Sequence, residues 1–140
     1  MLTLTHTVHF AAAHRLSSAA LSPEENQRVF GKCALPGGHG HNYALGVTVT
    51  GPVDQTSGMI VNVTRLHEVV QREVLDCMDH RDLNEDVHFL RGVVTTMEHL
   101  VTAIAERLQD PLTRLGVRLV RLTLAESDKN LVTLDLHEHD

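Results

Sequence analysis

Cysteine is scarce in this 140-residue chain: Cys33 and Cys77 are too few for the disulfide framework that staples small secreted domains. The first twenty residues carry His and Thr among their apolar positions. They lack a basic segment followed by an apolar one, so no secretion signal is read there. No apolar run approaches the roughly 20 residues that span a bilayer. A reducing cytoplasm is the expected compartment, with no membrane partner. Positive charge is short as well: 12 Lys and Arg stand against 18 Asp and Glu, a formal net charge of −6. That balance argues against nucleic acid gripped along a basic face. An anionic small molecule needs only a local positive site and stays open. No repeat, low-complexity tract or Pro/Gly-rich linker divides the chain. With 42% apolar and 21% charged residues it reads as one folded domain over 1–140. Histidine is what the chain has in excess, 11 of 140 residues, and imidazole is the commonest metal ligand.

Period-two alternation of Leu4, Val8, Phe10 and Ala12 against Thr3, Thr5, Thr7 and His9 predicts a strand over about 2–12. Ser22-Pro23-Glu24-Glu25 starts a short helix that ends near Gly31, with Ser22 as N-cap and Glu25 three residues on. A second strand follows over about 42–50 and a third near 59–63. Leu66, Val69, Val70, Val74 and Cys77 make one apolar stripe of a helix over about 64–78. A second long helix opens at the capping box Thr95-Thr96-Met97-Glu98 and runs to Pro111. Two strands, about 117–126 and 131–137, close the chain around the turn at Ser127–Asn130. This order indicates an α+β fold: an antiparallel sheet covered on one face by two helices, the other face calling for a partner subunit.

His39-Gly40-His41 is the sharpest local signal. Residues two apart on an extended segment project to the same side, here the inward side of Tyr43, Leu45 and Val47. The same reasoning along the first strand turns His14 inward with Phe10 and Ala12. Three imidazoles with an open fourth position are the form of a catalytic zinc site. Cys33, six residues before His39, is either a fourth ligand or a free thiol beside the metal; the Pro36-Gly37-Gly38 loop favours the thiol. Asp79-His80 offers a carboxylate–imidazole pair to activate that thiol, or else a His meeting a helix C-terminus. Cys77 reads as core. Glu126 continues the inward register of Leu122 and Leu124, where a ligand rich in N–H donors, or Arg118 or Arg121, satisfies it. Glu98 reads as a capping residue, and Glu85, Asp86 and Glu138 as solvated charges.

Taken together, the residues resemble the 6-pyruvoyltetrahydropterin synthase family and its relative, 6-carboxytetrahydropterin synthase. The segments that carry the resemblance span nearly the whole chain in order: Phe10–Leu16, Leu21–Asn26, Phe30–Cys33, Gly38–Tyr43, Gly58–Asn62, Met78–His80, Leu83-Asn84, Thr95–Glu98 and Ala125–Asp128. The resemblance implies the T-fold (tunnelling fold), a four-stranded antiparallel sheet backed by two long helices. Trimers close such sheets into a barrel, and two trimers stack as a homohexamer with active sites at subunit interfaces. It implies one Zn²⁺ per subunit on His14, His39 and His41, with Mg²⁺ as a further requirement for activity. Cys33 is the proton-abstracting thiol in that reading, with Asp79 and His80 as its activating partners. Glu126 anchors the pterin ring, and Thr96 and Glu98 lie near it. The implied activity is a phosphate-eliminating carbon–oxygen lyase that converts 7,8-dihydroneopterin triphosphate to 6-pyruvoyltetrahydropterin. The six-residue step from Cys33 to His39 favours this branch over the carboxy-forming enzyme of the queuosine route, and a non-catalytic zinc-binding module is a third reading. Gly37, Met97 and His99 depart from the residues usual in the family. Arg15, Lys32 and Lys129 are the cations open to a triphosphate.

Overall fold

The computed structural model describes residues 1–137; Glu138 lies outside them. In chain order the elements are β1 (Thr3–His14), α1 (Pro23–Phe30), β2 (His39–Thr50), α2 (Val63–Val70), α3 (Asp76–Met78), β3 (Arg81–Asp82), α4 (Met97–Arg114), β4 (Arg118–Ala125) and β5 (Leu131–Asp135). β1 and β2 pair antiparallel along their whole length, from Thr3 opposite Thr50 to His14 opposite His39. β4 lies antiparallel on the far side of β2, with a register shift at Thr48/Val49, and β5 antiparallel to β4. The four-stranded antiparallel core expected from the sequence is therefore present. β3 adds a parallel pairing beside Ala12 and Ala13, which makes the sheet mixed, in the order β3-β1-β2-β4-β5.

Alternation decides which face is buried. Val8, Phe10, Ala12 and His14 of β1 and Tyr43, Leu45, Val47 and Val49 of β2 are buried, while Thr3, Thr5, Thr7 and His9 are exposed. The buried face packs on Leu66, Val69, Val70 and Val74 and on Leu100, Val101, Ile104 and Leu108 of α4. Ser22 caps α1 as its sequence predicts, its hydroxyl accepting the Glu25 N–H while the Glu25 carboxylate accepts the Ser22 N–H.

Four sequence expectations need correction. No strand forms at 59–63. Gly58 turns there with φ of 75°, and the segment bonds locally, Gly58 N–H to Asp54 and Asp54 N–H to Met59. Asn62 then caps α2 by accepting the Thr64 N–H. The helix expected over 64–78 is interrupted by a π-helical turn, Gln71–Leu75, between α2 and α3. The wider turn rotates the stripe, so Leu75 and Met78 are buried and Cys77 is left half-buried at the margin of the core. α4 is capped by Thr96, which accepts the His99 N–H, and not by Thr95; Glu98 therefore sits in the first turn without a capping bond. The helix also runs through Pro111 to Arg114, because Pro111 is buried on the packed face and Leu115 N–H returns to the Pro111 and Leu112 carbonyls.

Candidate metal centre and its cavity

His14 and His39 face each other across the end of the β1–β2 ladder, and His41 stands opposite Ala12 on the same face. Their ring centroids are separated by 4.7 Å (His14–His39), 5.2 Å (His14–His41) and 4.8 Å (His39–His41). One ligating nitrogen from each lies within 4.8 Å of the others, a group that can hold a metal ion. Cys33 is outside that group.

Donor chemistry fits a metal. His14 is 3% exposed, and its Nδ1 lies 2.9 Å from the Thr95 carbonyl oxygen and 3.1 Å from the Thr95 hydroxyl. A carbonyl only accepts, so Nδ1 carries the proton and Nε2 presents a bare lone pair. That Nε2 is buried with no hydrogen-bond partner, a costly state that ligation relieves. Burial, and then the neighbouring His39, push His14 down to a pKa of about 4. Burial and then His41 lower His39 as well. Neutral imidazoles are the ligating form, and three of them suit a catalytic zinc-type centre with an open position.

The three imidazoles line a cavity of about 490 Å³ together with Leu16, Lys32, Cys33, Leu35, Gly38, Thr96, Met97, Glu98 and Glu126. A volume of this size suits a small-molecule ligand. Glu126 follows β4 and directs Oε2 to within 3.7 Å of His41 Nε2. The arginines expected as its alternative partners are engaged elsewhere, Arg121 with Asp135 at 2.6 Å and Arg118 against the Met1 sulfur. Lys32 faces the cavity. Arg15 instead donates to the Ala34 carbonyl, and Lys129 lies in the exposed β4–β5 turn.

Cys33 sits on a 3₁₀ turn, Gly31–Ala34, tied to the residues that follow His14. Leu16 N–H donates to the Cys33 carbonyl at 2.7 Å, and the Arg15 guanidinium donates to the Ala34 carbonyl at 3.1 Å. Gly38 closes the loop back to β2 with φ of +68°, and a Cβ there would stand 2.9 Å from the His14 carbonyl oxygen.

Asp79 and His80 are paired with each other, His80 Nδ1 to Asp79 Oδ1 at 2.9 Å, but they are not in this cavity. His80 lines a second concavity with Ala11, Ala13, Gly40 and Asn42, and His41 borders both this concavity and the first. The segment is bound to β1: Asp79 Oδ1 accepts the Ala11 N–H, and His80 N–H donates to the Ala11 carbonyl at 2.6 Å. The Ala11 N–H above all holds the Asp79 carboxyl below the usual range; burial opposes it, and His80 adds to the lowering. His80 takes a left-handed backbone, φ 60°, and leaves its side chain 82% exposed.

Sequence reasoning missed Thr95 and Asn84 as parts of the site. Thr95 reads as a helix cap, yet it is fully buried behind His14, and Asn84 bonds both backbone groups of Arg15. The sequence signal available for Thr95 was the doubled Thr95-Thr96, of which only one residue can cap.

The sequence pattern of the 6-pyruvoyl tetrahydropterin synthase family matches residues 3–137. The chain is 40% identical over 129 residues to the 6-pyruvoyl tetrahydrobiopterin synthase of Homo sapiens, covering 92% of this chain and 88% of that one. It is 40% identical over 133 residues to the putative 6-pyruvoyl tetrahydrobiopterin synthase of Caenorhabditis elegans, covering 95% and 94%. The solved structure of Caenorhabditis elegans 6-pyruvoyl tetrahydropterin synthase superposes with a TM-score of 0.88 at 38% identity over 97% of this chain and 96% of that one. By these matches the chain belongs to the 6-pyruvoyl tetrahydropterin synthase family.

Proposed function

We propose that this protein is a zinc-dependent lyase that converts 7,8-dihydroneopterin triphosphate to 6-pyruvoyltetrahydropterin with loss of triphosphate. The observation that carries this reading is the placement of Cys33 and Glu126 in the same cavity as three buried-face imidazoles, in a chain of this family. His14, His39 and His41 would hold the metal, which when bound supplies Lewis acidity toward substrate oxygens. Cys33, as thiolate, takes a proton from a side-chain carbon and returns one to its neighbour. Glu126 receives the N–H edge of the pterin through charge-assisted hydrogen bonds, with Thr96 and Glu98 beside it. Asp79 orients His80, and the pair activates the thiol as its proton acceptor.

His80 faces a different concavity from Cys33, so the activating pair comes from a neighbouring copy. This supports the T-fold assembly, trimers closed into a barrel and stacked as a hexamer, with each site shared between subunits. No helix among the described residues is long and apolar enough to cross a membrane.

The test is to incubate the Zn²⁺-loaded protein and Mg²⁺ with 7,8-dihydroneopterin triphosphate and determine product masses. A pyruvoyl side chain is expected. A carboxylate with acetaldehyde would assign the chain to the carboxy-forming branch, and tight zinc binding without turnover would assign it to a non-catalytic module. Cys33→Ala is expected to abolish turnover and leave zinc affinity within about twofold, since the thiol lies outside the ligand group.

A further inference from the structure

His14 is the most constrained of the three imidazoles, and the constraint comes from outside the metal group. Thr95, 0% exposed, presents both its carbonyl and its hydroxyl to His14 Nδ1. Its hydroxyl also donates to the Arg15 carbonyl at 3.4 Å and accepts from Asn84 Nδ2 at 3.4 Å. Asn84 in turn accepts the Arg15 N–H at 2.8 Å through Oδ1 and donates to the Arg15 carbonyl at 3.1 Å through Nδ2. One amide side chain thus satisfies both backbone groups of the residue after His14, as a neighbouring strand would, at a point where β1 has ended.

The consequence is a fixed tautomer. With a proton on Nε2, the bare Nδ1 lone pair would face a carbonyl oxygen at 2.9 Å, a repulsive contact in a buried setting. With the proton on Nδ1, Nε2, which has no hydrogen-bond partner, is the nitrogen left for the group formed with His39 and His41.

We propose that Asn84 and Thr95 are positioning residues for the three-imidazole centre, holding His14 in the Nδ1–H tautomer and in its ligating orientation before any metal arrives. The proposal rests on reading the three imidazoles as a metal centre, and not on which pterin is formed. The Thr95 carbonyl survives any substitution at that position. The part removable by mutation is the hydroxyl and amide network that holds the carbonyl in place. Outer-shell partners of this kind change metal affinity by roughly 10–100-fold.

The experiment uses the full chain, metal-free and labelled with ¹⁵N-histidine. Long-range ¹H–¹⁵N correlation is expected to show His14 protonated at Nδ1 and bare at Nε2. Thr95→Val and Asn84→Ala are expected to weaken binding of Zn²⁺ alone by roughly 10–100-fold in chelator competition and to mix the tautomers, while Thr95→Ser restores both. A wild-type His14 protonated at Nε2 overturns the proposal without any variant, which covers the case where Thr95→Val or Asn84→Ala does not fold. Folded Thr95→Val and Asn84→Ala proteins that keep the wild-type tautomer and Zn²⁺ affinity within about twofold overturn it too. Wild-type protein that binds no Zn²⁺ defeats this proposal and the metal reading together. A missing pyruvoyl product beside intact tautomer and affinity defeats only the lyase reading.

Discussion

Asp79 accepts the Ala11 N–H at 2.9 Å, so the carboxylate that orients His80 is anchored to the strand that ends in His14. Asp79→Asn keeps an oxygen for Ala11 and loses the charge that faces His80. Turnover is expected to fall by about 10²-fold or more, within the range general acid–base groups contribute, with the melting temperature little changed. Steady-state kinetics and a thermal melt on the same preparation check it. An unaltered kcat would remove Asp79 from the reaction.

His80 and Cys33 line different concavities of one chain, so inactive variants at the two positions should complement each other. Cys33→Ala and His80→Ala chains, each inactive alone, are expected to regain part of the activity when co-expressed and assembled together. No recovery in a mixed assembly verified by mass would count against a shared site.

Gly38 occupies a left-handed conformation against the His14 carbonyl. An alanine there pays about 1–2 kcal/mol for the backbone conformation alone, and the His14 backbone must also move to admit the new Cβ. Gly38→Ala is therefore expected to cost at least about 2 kcal/mol in urea unfolding and to weaken zinc binding. Gly37→Ala, which meets open space, serves as the control.

His6 and His67 share an N–H···N hydrogen bond at 2.9 Å, in which one ring donates and the other must stay bare. Burial and then His67 hold the His6 pKa below its ordinary value. The unfolded chain therefore takes up the proton more readily, so the pair's contribution is present above about pH 6.5 and is lost as the pH falls below it. His67→Gln keeps a hydrogen-bonding side chain that never ionises. Its stability is expected to fall less than that of the wild type between about pH 7.5 and about pH 5. Equal slopes would show that His67 adds none of the acid sensitivity.

The strands and the inward turn of His14, His39 and His41 were legible because the side-chain period of two is a purely local property, carried unbroken through Phe10, Ala12 and Tyr43 to the strand ends. Features that depend on tertiary partners were not. Met59–Val61 has the composition of a strand, yet Gly58 turns the chain and the segment bonds to its own loop. Arg81–Asp82 is too short to leave a pattern, and its pairing depends on Asp79 and His80 docking on Ala11. The π-helical turn moved Cys77 off the core stripe, and Arg107 meets the turn by donating to the Glu73 carbonyl at 2.8 Å. Thr95 and Thr96 are equivalent as caps in sequence. The contacts of Thr95 with His14, Asn84 and Arg15 leave the capping bond to Thr96.

Residues 14–16 carry the buried imidazole, the backbone clasped by Asn84 and the amide that tethers the thiol's turn, in three successive positions. This stretch has no slack for length variation. Deleting one residue between Phe10 and His14 would swing the ring to the threonine-bearing side and hand Cys33 the wrong amide in the same event. A single side-chain exchange here disturbs one of these parts, whereas an insertion or deletion displaces the His14 imidazole and the turn that carries Cys33 at once.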